Sequence, residues 1–288
     1  AGTLAGPVRA QHTWADFSGR NYAALGTNKV LVVYYEGEFY DITPLKTAVT
    51  SCTFTSTTGS ATVTVNKTAH GLEVGDYFIF TSVTLPGGGE TNYTTGDFTT
   101  NAFQVITVPT SGTFTITMPS SETGSGMSAQ GSSSVNPYIT IGPVFETYGY
   151  GWGAGEWGEE EWGTERSTTN VTLDPGSWSL DNFGQLLVAT VRNGATFTWN
   201  PNAGSALQTR AAVVANAPTK SLMSLVSDRD RHLFLMGTQT DLSDPTTQNK
   251  MFIRFSNQED INTWAPTATN TAGTFQLDQG NEIVTAVQ

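Results

Sequence analysis

Short apolar runs closed by turn residues repeat along the whole chain, and no long segment carries the period of an amphipathic helix. NYAALGTNKVLVVYYEGEFYDITPL, residues 21–45, shows the pattern. Asn28-Lys29 separates the runs 22–27 and 30–35, and Glu36-Gly37-Glu38 turns into 39–43. This predicts a meander of closely spaced antiparallel strands. A similar unit recurs after residue 170. Residues 185–191 (QLLVATV) turn at Arg192-Asn193-Gly194 into 195–199 (ATFTW). Runs at 211–215 and 221–227 follow, Asp228-Arg229-Asp230 leads to 232–237 (HLFLMG), and 250–255, 274–277 and 283–287 complete the series. Units of about 40–50 residues, each a small meander, are how propeller blades read in sequence. A β-sandwich with many hairpins is the alternative.

From about residue 46 to 135 the composition changes to Thr, Ser and Gly. CTFTS, ATVTVN, YFIFTSV, AFQVITV and TFTITM alternate apolar and hydroxylic residues, which makes strands with one buried and one wet face. About six or seven such strands suit a small immunoglobulin-like sandwich. Pro44 and the linker-like GSGMSAQGSSSVNP flank it, so it reads as a domain inserted in a loop of the first blade. The expected organisation is all-β: first propeller strands at 1–45, the inserted immunoglobulin-like sandwich at 46–135, a Trp/Gly/Glu-rich loop at 136–170, and further blades at 171–288.

Charge narrows the function. The 288 residues hold 13 Lys+Arg against 25 Asp+Glu, a net charge of -12, which argues against a general grip on nucleic acid. Negative walls repel phosphate, as a conduit for DNA requires. The single cysteine, Cys52, leaves no intrachain disulfide framework. No apolar run reaches the roughly 18 residues that span a bilayer, and the opening AGTLAGPVRAQ lacks the basic-then-apolar order of a secretory signal. The end, NEIVTAVQ, reads as a strand that needs a partner, so the chain reads as a piece of a longer protein.

Candidate chemistry is sparse. His12, His70 and His232 are scattered, with no metal-ligand spacing, nucleophile elbow or phosphate loop. Neither a metal nor a cofactor is expected. Asp228, Asp230, Asp241 and Asp244 could hold a cation through oxygen, but Asp in turns is ordinarily a cap. TVRNGATF, Thr190 to Phe197, has the spacing of the sialidase Asp-box, with Arg192 where the Asp should be. That box is structural, and glycoside hydrolysis of the sialidase kind needs an arginine cluster and an activated tyrosine that the sequence does not display.

The segment YGYGWGAGEWGEEEWGTER is a short tandem repeat: Trp152, Trp157 and Trp162, each followed by glycine, among Glu156, Glu159, Glu160, Glu161 and Glu165. Three readings stand. The indoles bury in a neighbouring subunit with Glu159, Glu160 and Glu161 on the rim; they stack on sugar faces; or the loop folds back onto its own propeller.

Several phrases resemble a family of virion proteins of tailed bacteriophages. SGRNYAALGTNKVLVVYYEGEFYDITPL resembles that family's first blade, and AHGLEVGDYFIF a strand of its inserted immunoglobulin-like domain. WSLDNFGQLLVATVRNGATFTWNP, AAVVANAPTKSLMSLVSDRDRHLFLMG and FIRFSNQEDINTWAPTATNTAGTFQLDQGNEIVTAVQ resemble its later blades, the last run being the most specific. The resemblance implies a tail hub or nozzle of a short-tailed phage. Such a protein is a β-propeller in a commonly sixfold homo-oligomeric ring, below the portal and adaptor, around the channel that DNA leaves through. It implies a structural protein of the virion rather than an enzyme. The rival is a glycan-binding or glycan-cleaving receptor protein of the tail fibre or tailspike class.

Overall fold

The structure, a computed structural model, describes residues 4–142 and 176–287. The chain divides into two compact units, Ala1–Pro44 with Thr140–Gln288, and Leu45–Ile139. The first unit opens with a four-stranded antiparallel sheet in sequence order: β1 Val8–Ala15, β2 Asn21–Thr27, β3 Leu31–Tyr35 and β4 Glu38–Asp41. Turns at Asn28-Lys29 and Glu36-Gly37 fall where the polar residues predict them; Glu36 takes a φ of 50° and Gly37 one of 93°. β1 is an addition to the expected meander. VRAQHTWA alternates poorly, and it is a strand because it pairs along nearly all of β2.

The second unit is one curled seven-stranded sheet. Its strands are β5 Val49–Ser56, β6 Thr62–Asn66, β7 Tyr77–Thr84, β8 Phe103–Gln104, β9 Thr107–Thr110, β10 Thr113–Thr117 and β11 Gln130–Pro137. The order is β8-β7-β11-β5-β6-β10-β9. β8 and β9 form opposite edges yet are separated by Val105 and Ile106 alone. Val105 N donates to Asp76 O at 2.9 Å beside β7, and Ile106 N donates to Thr115 O at 2.9 Å in β10, so the sheet curls into a half-barrel. The sequence led to an immunoglobulin-like pair of sheets; the pairing joins all seven strands in one.

Alternation fills this half-barrel. Val63, Val65, Phe114 and Ile116 point in, while their threonine neighbours point out. Phe54, Phe78, Phe80, Phe98 and Phe103 complete the core. Phe98 arrives on a short helix, α1 Thr95–Thr99, started by a reciprocal cap between Thr94 and Asp97. Burying each such ring is worth about 1.5–3 kcal/mol. β11 corrects the sequence reading, which took GSSSVNP for linker. It lies between β5 and β7 with Val135 fully buried, and residues 136–137 belong to it rather than to the Trp-rich loop.

Among the described residues the first unit holds two further four-stranded antiparallel sheets. One is β12 Trp178–Phe183, β13 Leu186–Val191, β14 Thr196–Trp199 and β15 Ala212–Val213; the other is β16 Met223–Val226, β17 Leu233–Met236, β18 Phe252–Phe255 and β19 Gly273–Gln276. β1 lies beside β12, and β12 beside β16. The expected strand at 283–287 does not form. Ile283 N donates to Lys250 O at 3.1 Å, and Ile283 and Ala286 pack on Met236 and Met251 without strand pairing.

The three sheets stack face to face. Trp14 and Tyr22 of the first meet Trp199 of the second edge-on, at 6.3 and 5.9 Å between ring centroids. Between the second and third, Phe183 and Val188 pack with Val226, Leu233, Leu235 and Trp264. Polar bonds stitch both seams: Trp14 Nε1 to Gln185 O at 2.9 Å, Ser179 Oγ to Ser224 O at 2.9 Å, and Val226 N to Asp181 Oδ2 at 2.7 Å.

Candidate functional site

The groups that the sequence offers for chemistry are placed apart, each with a local partner. His12 stacks on Trp14 and bonds Asn182 Oδ1 at 2.8 Å, closing the first seam. His70 is buried against Phe114, and its Nδ1 accepts the Leu72 N–H. His232 Nδ1 lies 2.7 Å from Ser256 O. Asp241 and Asp244 are turn caps. Asp241 accepts from Ser243 and Asp244 from Thr246, first through the hydroxyl and then the backbone N–H, which holds both carboxyls below their ordinary value. Asp230 lies 3.9 Å from Arg229, both well exposed, so that pair adds little. Among the described residues no group of three or more His, Cys, Asp or Glu is placed to hold a metal ion. Burial of Cys52 pushes its thiol pKa up, away from reactivity.

The stretch Thr190–Phe197 is the β13–β14 hairpin. Thr190 and Thr196 share a hydroxyl bond of 2.9 Å under the turn, and Asn193 takes the left-handed conformation. Arg192, in the place of the box aspartate, reaches out to Glu282, which also binds Lys250 Nζ at 2.6 Å. The position serves to tie the segment after β19 to two sheets.

The proposed contact residues Trp152, Trp157, Trp162, Glu159, Glu160 and Glu161 lie outside the described residues.

An aromatic column that the sequence did not single out occupies the first sheet. Trp14, Tyr22 and Tyr35 stack at 5.4 and 4.8 Å, with interplanar angles of 28° and 23°. Its signal was in the pattern: cross-strand partners Trp14 and Tyr22 both fall on the buried side of their strands. At its foot, the β1–β2 turn is built on Asp16, which accepts from Ser18 N, Arg20 N and Arg20 Nε. Burial works to raise the Asp16 carboxyl, but these bonds outweigh it and hold it low. A cleft of about 420 Å³ opens beside the column, with Trp14, Tyr22, Tyr34, Tyr35 and Glu36 among its walls. Tyr35 donates to Glu36, which with burial raises its phenol pKa. Aromatic faces with a carboxylate at the rim can hold the apolar face of a ring-shaped ligand.

The two ends of the three-sheet stack carry broader surfaces. On β16–β19 the side away from the second sheet holds Met223, Leu225, Phe234, Ile253 and Phe275, with Phe275 59% exposed. On β1–β4 the corresponding outer side holds Ala23, Leu25, Val32, Tyr34, Phe39 and Asp41, with Tyr34 and Phe39 rings 5.2 Å apart and Asp41 paired with Arg210 at 3.0 Å.

No protein-family model matches the chain, and no curated protein matches it. Among solved structures it is similar to one titled phage phi92 endosialidase, at 12% identity and a TM-score of 0.27, over 96% of this chain and 40% of that one.

Proposed function

We propose that the chain is a structural protein of a tailed bacteriophage virion, a subunit of a hub or nozzle ring in the tail that extends the DNA channel. The observation that carries this reading is the succession of four-stranded meanders, each with its first strand beside the next, interrupted after β4 by a compact unit. That succession is the local pattern of propeller blades, and the interruption falls where the phage resemblance expects an inserted domain. The net charge of -12 suits a wall past which phosphate slides without sticking. The ring is built from copies of this chain, six in the resemblance, with portal, adaptor and other tail proteins as neighbours. The loop with Trp152, Trp157 and Trp162 is a contact element. DNA passes without sequence-specific binding, and no cofactor takes part.

The rival reading, a glycan-binding receptor protein, would use the cleft beside Tyr22 and Tyr35. The two separate in one experiment. Antibody against this chain, imaged on intact phage, labels the tail axis under the ring reading and the peripheral fibres under the rival.

A further inference from the structure

The first and second sheets leave a cleft of about 320 Å³ at one end of their seam. One wall is Tyr35, stacked on Tyr22 at 4.8 Å, together with Arg20. The other is the loop after β14, through Pro201, Ser205, Leu207 and Gln208. Both walls come from neighbouring sheets of this one unit, so the cleft belongs to the seam and not to an end of the stack. The loop is fixed in place. Trp199 Nε1 donates to Ala206 O at 3.2 Å, and Arg210 donates to Asp41 Oδ2 at 3.0 Å and to Thr43 O at 2.9 Å. A wall ordered in advance spares a ligand the cost of ordering it. The left-handed position of the loop falls on Ser205, with a φ of 57°, and not on Gly204 beside it. Glycine would take that conformation more readily. The Ser205 hydroxyl makes no capping bond to the short turn Ala206–Gln208 that follows, so the strain is not explained by a cap.

We propose that this cleft binds a neutral saccharide, with one pyranose ring laid on the face of Tyr35. Ligand sites run from about 300 Å³ upward, so this one suits a single ring. The aromatic column ends at Tyr35, whose second face carries no further ring among the described residues. A pyranose offers an apolar C–H face to such a ring and hydroxyls around its edge. The Ser205 hydroxyl and the Gln208 amide stand at the rim to bond those hydroxyls. Charge decides against a nucleotide or an acidic sugar. The guanidinium of Arg20 is already met by Asp16, 2.6 Å from Nε, and its Nη2 bonds Asn202 of the loop. Among the described residues no other cation lines the cleft, so a phosphate or carboxylate finds no unengaged partner there. A ring subunit with this site remains a ring subunit, so sugar binding and ring assembly are tested separately.

The test is saturation-transfer NMR of the full-length protein with glucose, galactose and N-acetylglucosamine, and with AMP as the charged comparator. At least one of the sugars is expected to receive saturation at its ring protons, with weak, roughly millimolar affinity, and AMP none. Tyr35→Leu keeps apolar bulk but removes the aromatic face, and should weaken that binding roughly tenfold. Ser205→Gly suits the left-handed backbone, so its unfolding midpoint should hold or rise while binding weakens several-fold. That variant keeps the test decisive if Tyr35→Leu disturbs the column. Saturation of none of the three sugars, or binding that both variants leave unchanged, overturns the site. Tighter binding of AMP than of any of the sugars overturns the ligand class.

Discussion

The indole Nε1 of Trp178 donates to the carbonyl of Thr27 at 2.8 Å, and its ring fills the space that a side chain at Gly26 would take. The first residue of β12 is thereby locked onto the end of β2. Gly26 has no positive φ, so its glycine is required by space rather than by backbone conformation. Gly26→Ala is expected to cost about 1–3 kcal/mol through overpacking. Trp178→Phe, which keeps a ring but strands the Thr27 carbonyl, should cost about 1 kcal/mol from the lost bond, beyond any packing loss. Thermal unfolding of both variants checks this, and an unchanged midpoint for Gly26→Ala would contradict the seam.

Glu122 makes the corresponding lock in the Leu45–Ile139 unit. It is fully buried, and its oxygens accept from Ser56 Oγ, Thr91 Oγ1, Asn92 N and Gly124 N at 2.7–3.0 Å. Glu122→Ala leaves two backbone N–H groups and two hydroxyls without their acceptor and should cost at least about 3 kcal/mol. Glu122→Gln should cost less, because its carbonyl still serves the backbone donors while the hydroxyls turn to accept from its amide.

The same carboxylate makes the unit sensitive to acid. Burial acts to raise its pKa, but the hydrogen bonds from Thr91, Asn92, Gly124 and Ser56 together depress it below 4.5. A depressed carboxyl stabilises the fold fully above its unfolded value, and that contribution is lost as pH falls through the folded value. Stability measured from pH 6 downward should therefore fall more steeply below about 4.5 in the unaltered protein than in Glu122→Gln. Equal slopes would contradict the assignment.

Much of this was written in the local pattern and part was not. Runs bounded by Asn28-Lys29, Glu36-Gly37 and Arg192-Asn193-Gly194 announced β2, β3, β4, β13 and β14, because alternation and turn chemistry act within a few residues. β11 was illegible: Ser132, Ser133 and Ser134 are poor strand formers, and only pairing on both flanks makes them one. The reverse held at 283–287, where apolar residues suggested a strand and found a surface to pack on instead. The curl of the seven-stranded sheet was out of reach because it depends on which strands become edges. At the candidate site, the turn role of Asp241 and Asp244 was readable from residue type, whereas the Trp14–Tyr22–Tyr35 column depends on cross-strand register.

The tie made by Glu282 should be local. With Lys250 half exposed, each ion pair is worth roughly 0.2–1 kcal/mol. Glu282→Gln should leave the unfolding midpoint nearly unchanged. It should raise hydrogen exchange in residues 277–287 selectively, and high salt should reproduce the effect in the unaltered protein.

For the Trp-rich repeat, replacing Trp152, Trp157 and Trp162 together with alanine should abolish assembly and infectivity while the monomer remains folded. Unaltered assembly in that triple variant would remove the loop from the contact.

Whether the chain builds the proposed ring around a channel is decided by electron microscopy of the purified full-length protein, with particle mass from light scattering. The expected particle is a closed ring of identical subunits with a central opening. A monomer, or a trimer lying off the tail axis, would contradict it and turn attention to a receptor-binding role.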